Sequence, residues 1–185
     1  FKTELRGDGA GDFANGVQEA FQGCAMTLGL SVLSPESTYA DMKCVTIILY
    51  EDGNKKTLFG AMGNFTITGE VGESAMVEFE FSGKWLAPTT ASLPAPSIDG
   101  GSPLQLKAAV LSLDGETDLK VSNFSINMQN TVAMRGDIED TTGIENYLIT
   151  DRDPELGMDP EIQLQSAYDP WAVWLAADDS GALSL

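Results

Sequence analysis

Polar and apolar residues alternate in the same order twice along this chain, in "NFTITGEV" from Asn64 and in "NFSINMQN" from Asn123. Successive side chains of an extended strand point to opposite sides, so each stretch makes a ribbon with one apolar and one wet face. Phe65 and Ile67 fall on one side of the first ribbon, and Phe124, Ile126 and Met128 on one side of the second. Asn64, Thr66 and Thr68 fall on the other side, as do Asn123, Ser125 and Asn127. Both stretches therefore read as strands of a sheet with one face in a core and one in water.

The rest of the chain mostly follows the same period. "SAMVEFEFSGKWL" sets Val77, Phe79 and Phe81 against Met76, Glu78 and Glu80. "KCVTIILYEDGNKKTLFGAMG" reads as a hairpin turning at Asp52-Gly53-Asn54. "LQLKAAVLSL", "DLKVSNFSINMQN" and "PWAVWLA" add strands. One segment departs: Phe13, Val17, Phe21, Cys24 and Leu28 recur at three- and four-residue intervals, which predicts a helix from an Asp12 cap to a Gly29 stop. Gly16 and Gly23 inside it each cost about 1 kcal/mol relative to Ala, so this helix depends on lying against something. The expected fold is mainly β, a sandwich or barrel-like domain with one helix packed on it. Two long exposed loops are expected, one from Ala87 to Pro103 with Pro88, Pro94, Pro96 and Pro103, the other acidic and running from Thr150 to Glu161. "FKTEL" alternates from its first residue, and native residues are expected to precede Phe1.

Composition narrows the chemistry. Ten Lys and Arg face 28 Asp and Glu, a net charge of −18 that repels nucleic acid and anionic membrane. The chain has no histidine, which excludes Ser-His-Asp and Cys-His catalysis. Cys24 and Cys44 read as two reduced core cysteines. No apolar run reaches the roughly 18 residues of a membrane-spanning helix. Glu78 and Glu80 share a strand face, but glycosidase work needs carboxylates on opposite sides of a sugar cleft. Asp151, Asp153, Glu155 and Asp159 suggest calcium ligands, yet an EF-hand needs Gly sixth and Glu twelfth; here Gly157 is seventh and Ile162 twelfth. No catalytic, metal or cofactor site is expected, and the chain does not read as an enzyme.

The order of the structural glycines and aromatics carries a resemblance. Gly69, Gly72 and Glu73 close one strand, and the next ends on Phe81, Gly83 and Trp85. Asn123, Phe124 and Asn130 follow, then Ile149, Thr150, Asp151, Arg152 and Pro154. Over residues 1–165 this resembles the tail tube (major tail) proteins of tailed bacteriophages. The resemblance implies a β-sandwich over 1–165, with 166–185 as an extension, that self-assembles into stacked hexameric rings. DNA would pass through without tight binding. The partners would be other copies and the tail tip, initiator and terminator proteins, in a virion tail assembled in the host cytoplasm, without membrane insertion. Pro88, Pro94, Pro96, Pro103, Asp151, Arg152, Asp153 and Pro154 would then contact neighbouring subunits. Thr66, Thr68, Glu78, Glu80, Asn123, Ser125 and Asn127 would face the lumen or a subunit boundary. The alternatives are a type VI secretion tube or a capsid decoration protein and, behind them, a carbohydrate-binding or -hydrolysing sandwich using Glu78 and Glu80.

Overall fold

The two look-alike stretches are neighbours in one sheet. A computed structural model describes residues 1–7, 13–14, 16–29, 32–95, 103, 105–107, 112–113, 120–161, 169 and 183–184. In chain order its first elements are β1 (Lys2–Glu4), α1 (Val17–Gly23), β2 (Met26–Gly29), β3 (Val32–Pro35), a single 3-10 turn (Tyr39–Asp41), β4 (Val45–Glu51), β5 (Asn54–Glu70) and β6 (Met76–Thr90). β7 (Ser112–Leu113), β8 (Val121–Asn127), β9 (Asn130–Gly136), β10 (Ile144–Arg152), β11 (Glu155–Pro160) and β12 (Leu183–Ser184) follow. The chain is mainly β. Its main sheet runs β1-β6-β5-β8-β11, with β4 also on β5, and three two-stranded sheets pair β2 with β3, β9 with β10 and β7 with β12.

β5 is the spine of the main sheet. Its first half lies between β4 and the end of β6, and its second half between the start of β6 and β8. The β4–β5 turn is the one the sequence predicts: Asp52 and Gly53 take φ of 50° and 77°, a left-handed pair whose twist matches that of the flanking strands. Register places Ile67 opposite Ile126 and Thr66 opposite Asn127, so the matching sequences stack like on like.

The apolar face of this sheet forms the larger core. Phe65, Val77 and Phe79 are buried there, and α1 lays Ala20 and Phe21 over them. The Phe21 ring meets Phe65 edge-on at 4.8 Å and Phe79 at 5.1 Å, a favoured aromatic geometry. Gly63 permits close approach here, since a Cβ at that position would stand 2.1 Å from the Glu80 carbonyl oxygen. On the opposite face of β5, Met62 is buried with Ala25 and Ile149, against Val132 and Tyr147 of the β9–β10 sheet. The spine is thus covered on one side by the helix and, near Met62, on the other by strands.

Four expectations need correction. The helix is only Val17–Gly23, and Leu28 belongs to β2. Gly23 packs against Val45 and Phe81, and Ala25 at φ 54° turns the chain away, so tertiary packing ends the helix before the apolar period does. The expected cap Asp12 lies outside the described residues. The proline-rich loop begins later than its composition suggests, because β6 runs through Ala87 and Pro88 to Thr90. Lys55 pairs with Thr89 and Thr57 with Leu86, so Ala87 and Pro88 together face Lys56 in a bulge, where the missing proline N–H is tolerated. Pro94 follows the strand, Pro103 bridges to Arg6, and Pro96 lies outside the described residues.

The acidic loop is mostly strand. Asp151 and Arg152 end β10, Glu155 begins β11, and only Asp153 and Pro154 lie between them. Acidic residues signal a turn locally, but a sheet edge accepts them where they meet water. Cys44 is exposed just before β4 rather than in the core, whereas Cys24 is buried and its thiol is pushed up to about 12 by desolvation. The expected strand "PWAVWLA" lies outside the described residues, as does half of "LQLKAAVLSL".

Phe21→Ala is expected to cost about 3–5 kcal/mol in urea unfolding, and Leu28→Ala about 1 kcal/mol. Equal losses would favour the longer helix over the short one.

Candidate assembly surface

The pleat gathers the polar residues of three strands onto one face. Thr66 faces Glu78 on β6 and Asn127 on β8, Asn64 faces Glu80, Thr68 faces Ser125, and Glu70 faces Asn123. Thr66, Thr68, Glu78, Glu80, Asn123, Ser125 and Asn127 therefore share a face. One row crosses the whole sheet, from Lys2 through Glu78, Thr66 and Asn127 to Glu155. Glu4 and Glu70 also lie on this side, so the face is acidic. Glu78 and Glu80 are exposed two residues apart on one strand, with no sugar-wide cleft between them.

A break in the spine's pairing is closed by side chains. The β4 ladder ends at Ala61 and the β8 ladder starts at Thr66, leaving a gap at Gly63 and Asn64. Asn130 fills it, donating through Nδ2 to the carbonyls of Gly63 and Cys24, both at 3.0 Å. The Asn130 N–H reaches Asn64 Oδ1 at 3.1 Å, and Asn64 Nδ2 donates to Asn127 Oδ1 at 2.9 Å. Arg152 Nε donates to Asn130 Oδ1 at 3.0 Å, while its Nη2 donates to the carbonyls of Ala25 and Glu36 at 3.2 Å. Eight residues from the spine, the helix end, the β3 exit and β8–β10 converge here. The Arg152 guanidinium is thus turned inward, while Asp151, Asp153 and Pro154 beside it are exposed. Sequence reasoning registered Asn130 only as a pattern position and expected Arg152 to contact a neighbouring subunit, whereas its guanidinium is bonded within the fold. Their partners lie from 22 to 127 residues away, beyond the reach of any local signal.

Beyond that gap, β4, the first half of β5 and the end of β6 form a three-stranded arm. Leu49, Leu58 and Trp85 share one of its faces, and Ile48, Phe59 and Leu86 share the other. Leu49, Phe59 and Trp85 are each more than half exposed, at 57%, 53% and 54%. Among the described residues these side chains stay exposed, and clustered exposed apolar side chains are a common feature of interaction surfaces. Phe1 and Phe79 exchange both backbone hydrogen bonds at 2.8 Å and so continue the β1–β6 pairing.

The arm is braced to the β9–β10 sheet. Lys84 Nζ donates to Asp140 Oδ2 at 2.5 Å. This bond, with those from the Thr142 N–H and hydroxyl, lowers the Asp140 carboxyl to about 2. Between arm and sheet lies a cleft of about 340 Å³ lined by Cys44, Phe59, Met62 and Tyr147. Asn146 Oδ1 is buried there without a hydrogen-bond partner among the described residues.

Two outcomes follow. Asn130→Ala is expected to cost about 2 kcal/mol in urea unfolding, because it strips donors from two enclosed carbonyls, while exposed Asn123→Ala changes stability by no more than about 0.5 kcal/mol. The depressed Asp140 carboxyl contributes stability above its ordinary range near 3.8, and that contribution is lost as pH falls toward 2. Acid titrations of wild type and Asp140→Asn should differ in that window and run parallel above pH 5.

Among the described residues no helix is long and apolar enough to cross a membrane, and no group of three acidic or Cys side chains is placed to hold a metal ion. No curated protein and no solved structure matches the chain. The family profile described as phage tail tube protein matches residues 5–185, nearly the whole sequence. The chain belongs to the phage tail tube protein family.

Proposed function

We propose that copies of this chain join edge to edge into hexameric rings, and that the rings stack into the DNA-conducting tube of a phage tail. The observation that supports this reading is the arm, which among the described residues exposes Ile48, Leu49, Phe59, Trp85 and Leu86 over its two faces. A head-to-tail contact that closes generates a ring. The role is structural and non-catalytic.

The acidic face carrying Glu78, Glu80 and Glu155 lines the lumen in this reading. Its carboxylates repel DNA phosphates, so the genome slides without sticking. Pro88, Pro94, Pro96, Pro103, Asp151, Asp153 and Pro154 lie in segments that meet neighbouring subunits or the next ring. The helix-bearing face of the 1–165 body points outward, and residues 166–185 act as an extension. A tail-tip initiator starts the tube and a terminator ends it, with assembly in the host cytoplasm before the tail enters the virion.

Negative-stain electron microscopy over a concentration series, with and without the tail-tip complex, tests the reading. Rings with a central hole or tubes of constant width are expected. Trp85→Ser should leave the monomer's stability within about 0.5 kcal/mol, since the side chain is exposed, while sharply raising the concentration needed for tubes. A protein that stays monomeric even with the tip complex would sink the reading.

A further inference from the structure

The cleft between the arm and the β9–β10 sheet holds an unmet hydrogen bond. Met42, Phe59, Met62 and Tyr147 give it apolar walls, and its volume of about 340 Å³ is large enough to take an indole ring. Asn146 Oδ1 is enclosed there, and among the described residues nothing donates to it. A buried acceptor without a donor is costly, and that cost is removed by an occupant that brings an N–H or O–H on an apolar body. Among the described residues, the large exposed apolar side chains with such a donor are Tyr39 and Trp85. Tyr39 is itself part of the cleft wall, which leaves Trp85.

Trp85 cannot serve its own cleft. Phe59 and Lys84 stand opposite one another on β5 and β6 and both line the cleft, whereas the next pair, Leu58 and Trp85, points to the other face of the arm. The arm therefore carries a knob on one face and a hole on the other. With the two on opposite faces, each copy gives its knob to one neighbour and receives the knob of another, which is the head-to-tail contact that a ring or a stack needs. We infer that Trp85 of one copy seats in the cleft of the next, with its indole N–H donating to Asn146 Oδ1. This rests on the tube reading above and specifies one of its contacts.

Charge favours the same contact. The segments that build the arm, 43–60 and 82–95, hold Lys43, Lys55, Lys56 and Lys84 against Glu51 and Asp52. Lys56 lies on the Trp85 face, because it pairs with Leu49 and stands two residues from Leu58. The segment 136–149, which walls one side of the cleft, holds Asp137, Glu139, Asp140 and Glu145 and no Lys or Arg. Seating Trp85 thus brings a cationic face toward an acidic rim, and complementary charge of this kind fixes register and suppresses wrong pairings. A tryptophan seated in a pocket is also a recurrent interface hot spot.

Fluorescence tests the seating. W171F/W174F leaves Trp85 as the only tryptophan. From monomer to tube its emission should move to shorter wavelength, and its quenching by acrylamide should fall several-fold. An indole as quenchable in tubes as in monomers would overturn the contact while leaving the tube intact. Cys44 lines the cleft and is exposed, whereas Cys24 is buried. A bulky maleimide on Cys44 should therefore raise the concentration needed for tubes on the order of tenfold or more, and the same treatment of Cys44→Ser should not. Unchanged assembly after that block would also overturn the contact. The hydrogen bond has its own signature. W85F and N146L should each raise the concentration needed on the order of tenfold, and W85F/N146L should recover most of the loss, because removing both partners leaves neither unpaired. No recovery in the folded double variant would overturn the bond. Absence of rings or tubes from the wild type would instead defeat the tube reading itself.

Discussion

The structure depends on how a broken ladder is mended at Gly63 and Asn64. A seventeen-residue strand that changes partners midway leaves backbone groups with no strand beside them, and an enclosed carbonyl without a donor is costly. Asn130 supplies those donors from its side chain, and Arg152 holds Asn130 in place while gripping two further carbonyls. Because the same few atoms touch the helix end, the spine and β10, the helix cannot seat on its core face independently of the strands on the other face.

That mend also separates two parts with different physical character. On one side lies the body, whose sheet buries Phe65, Val77 and Phe79 under α1 and keeps its other face polar. On the other lies the arm, whose strands hydrogen-bond to one another but bury little. Its stability comes from the ladder, from Lys84 on Asp140 and from continuity with the spine. A ribbon of this kind leaves apolar area for a neighbour. In the proposed tube that area is covered only in the assembly, so the arm is where folding and polymerisation meet.

Much of this was legible from residues alone. Alternation in "NFTITGEV", "NFSINMQN" and "SAMVEFEF" identifies strands and their wet faces correctly, since the two-residue period is a local property of extended backbone. The Asp52-Gly53 turn is equally local. The helix length was not legible, because Gly23 ends it by packing against Val45 and Phe81 from a distant strand. Nor were the ends of the loops: Pro88 sits in a bulge and Asp151 on a strand because neighbouring strands supply pairing that composition does not reveal.

By itself, the sequence determined the period of each strand, the sign of the surface charge and the order of glycines and aromatics that carries the resemblance. Each depends on neighbours in the chain or on simple totals. Only the tertiary structure decided that the two matching stretches lie side by side, that Arg152 points inward, and that Ile48, Leu49, Phe59, Trp85 and Leu86 gather on one arm. These depend on contacts between residues dozens of positions apart, and such contacts exist only once the spine has chosen its partners.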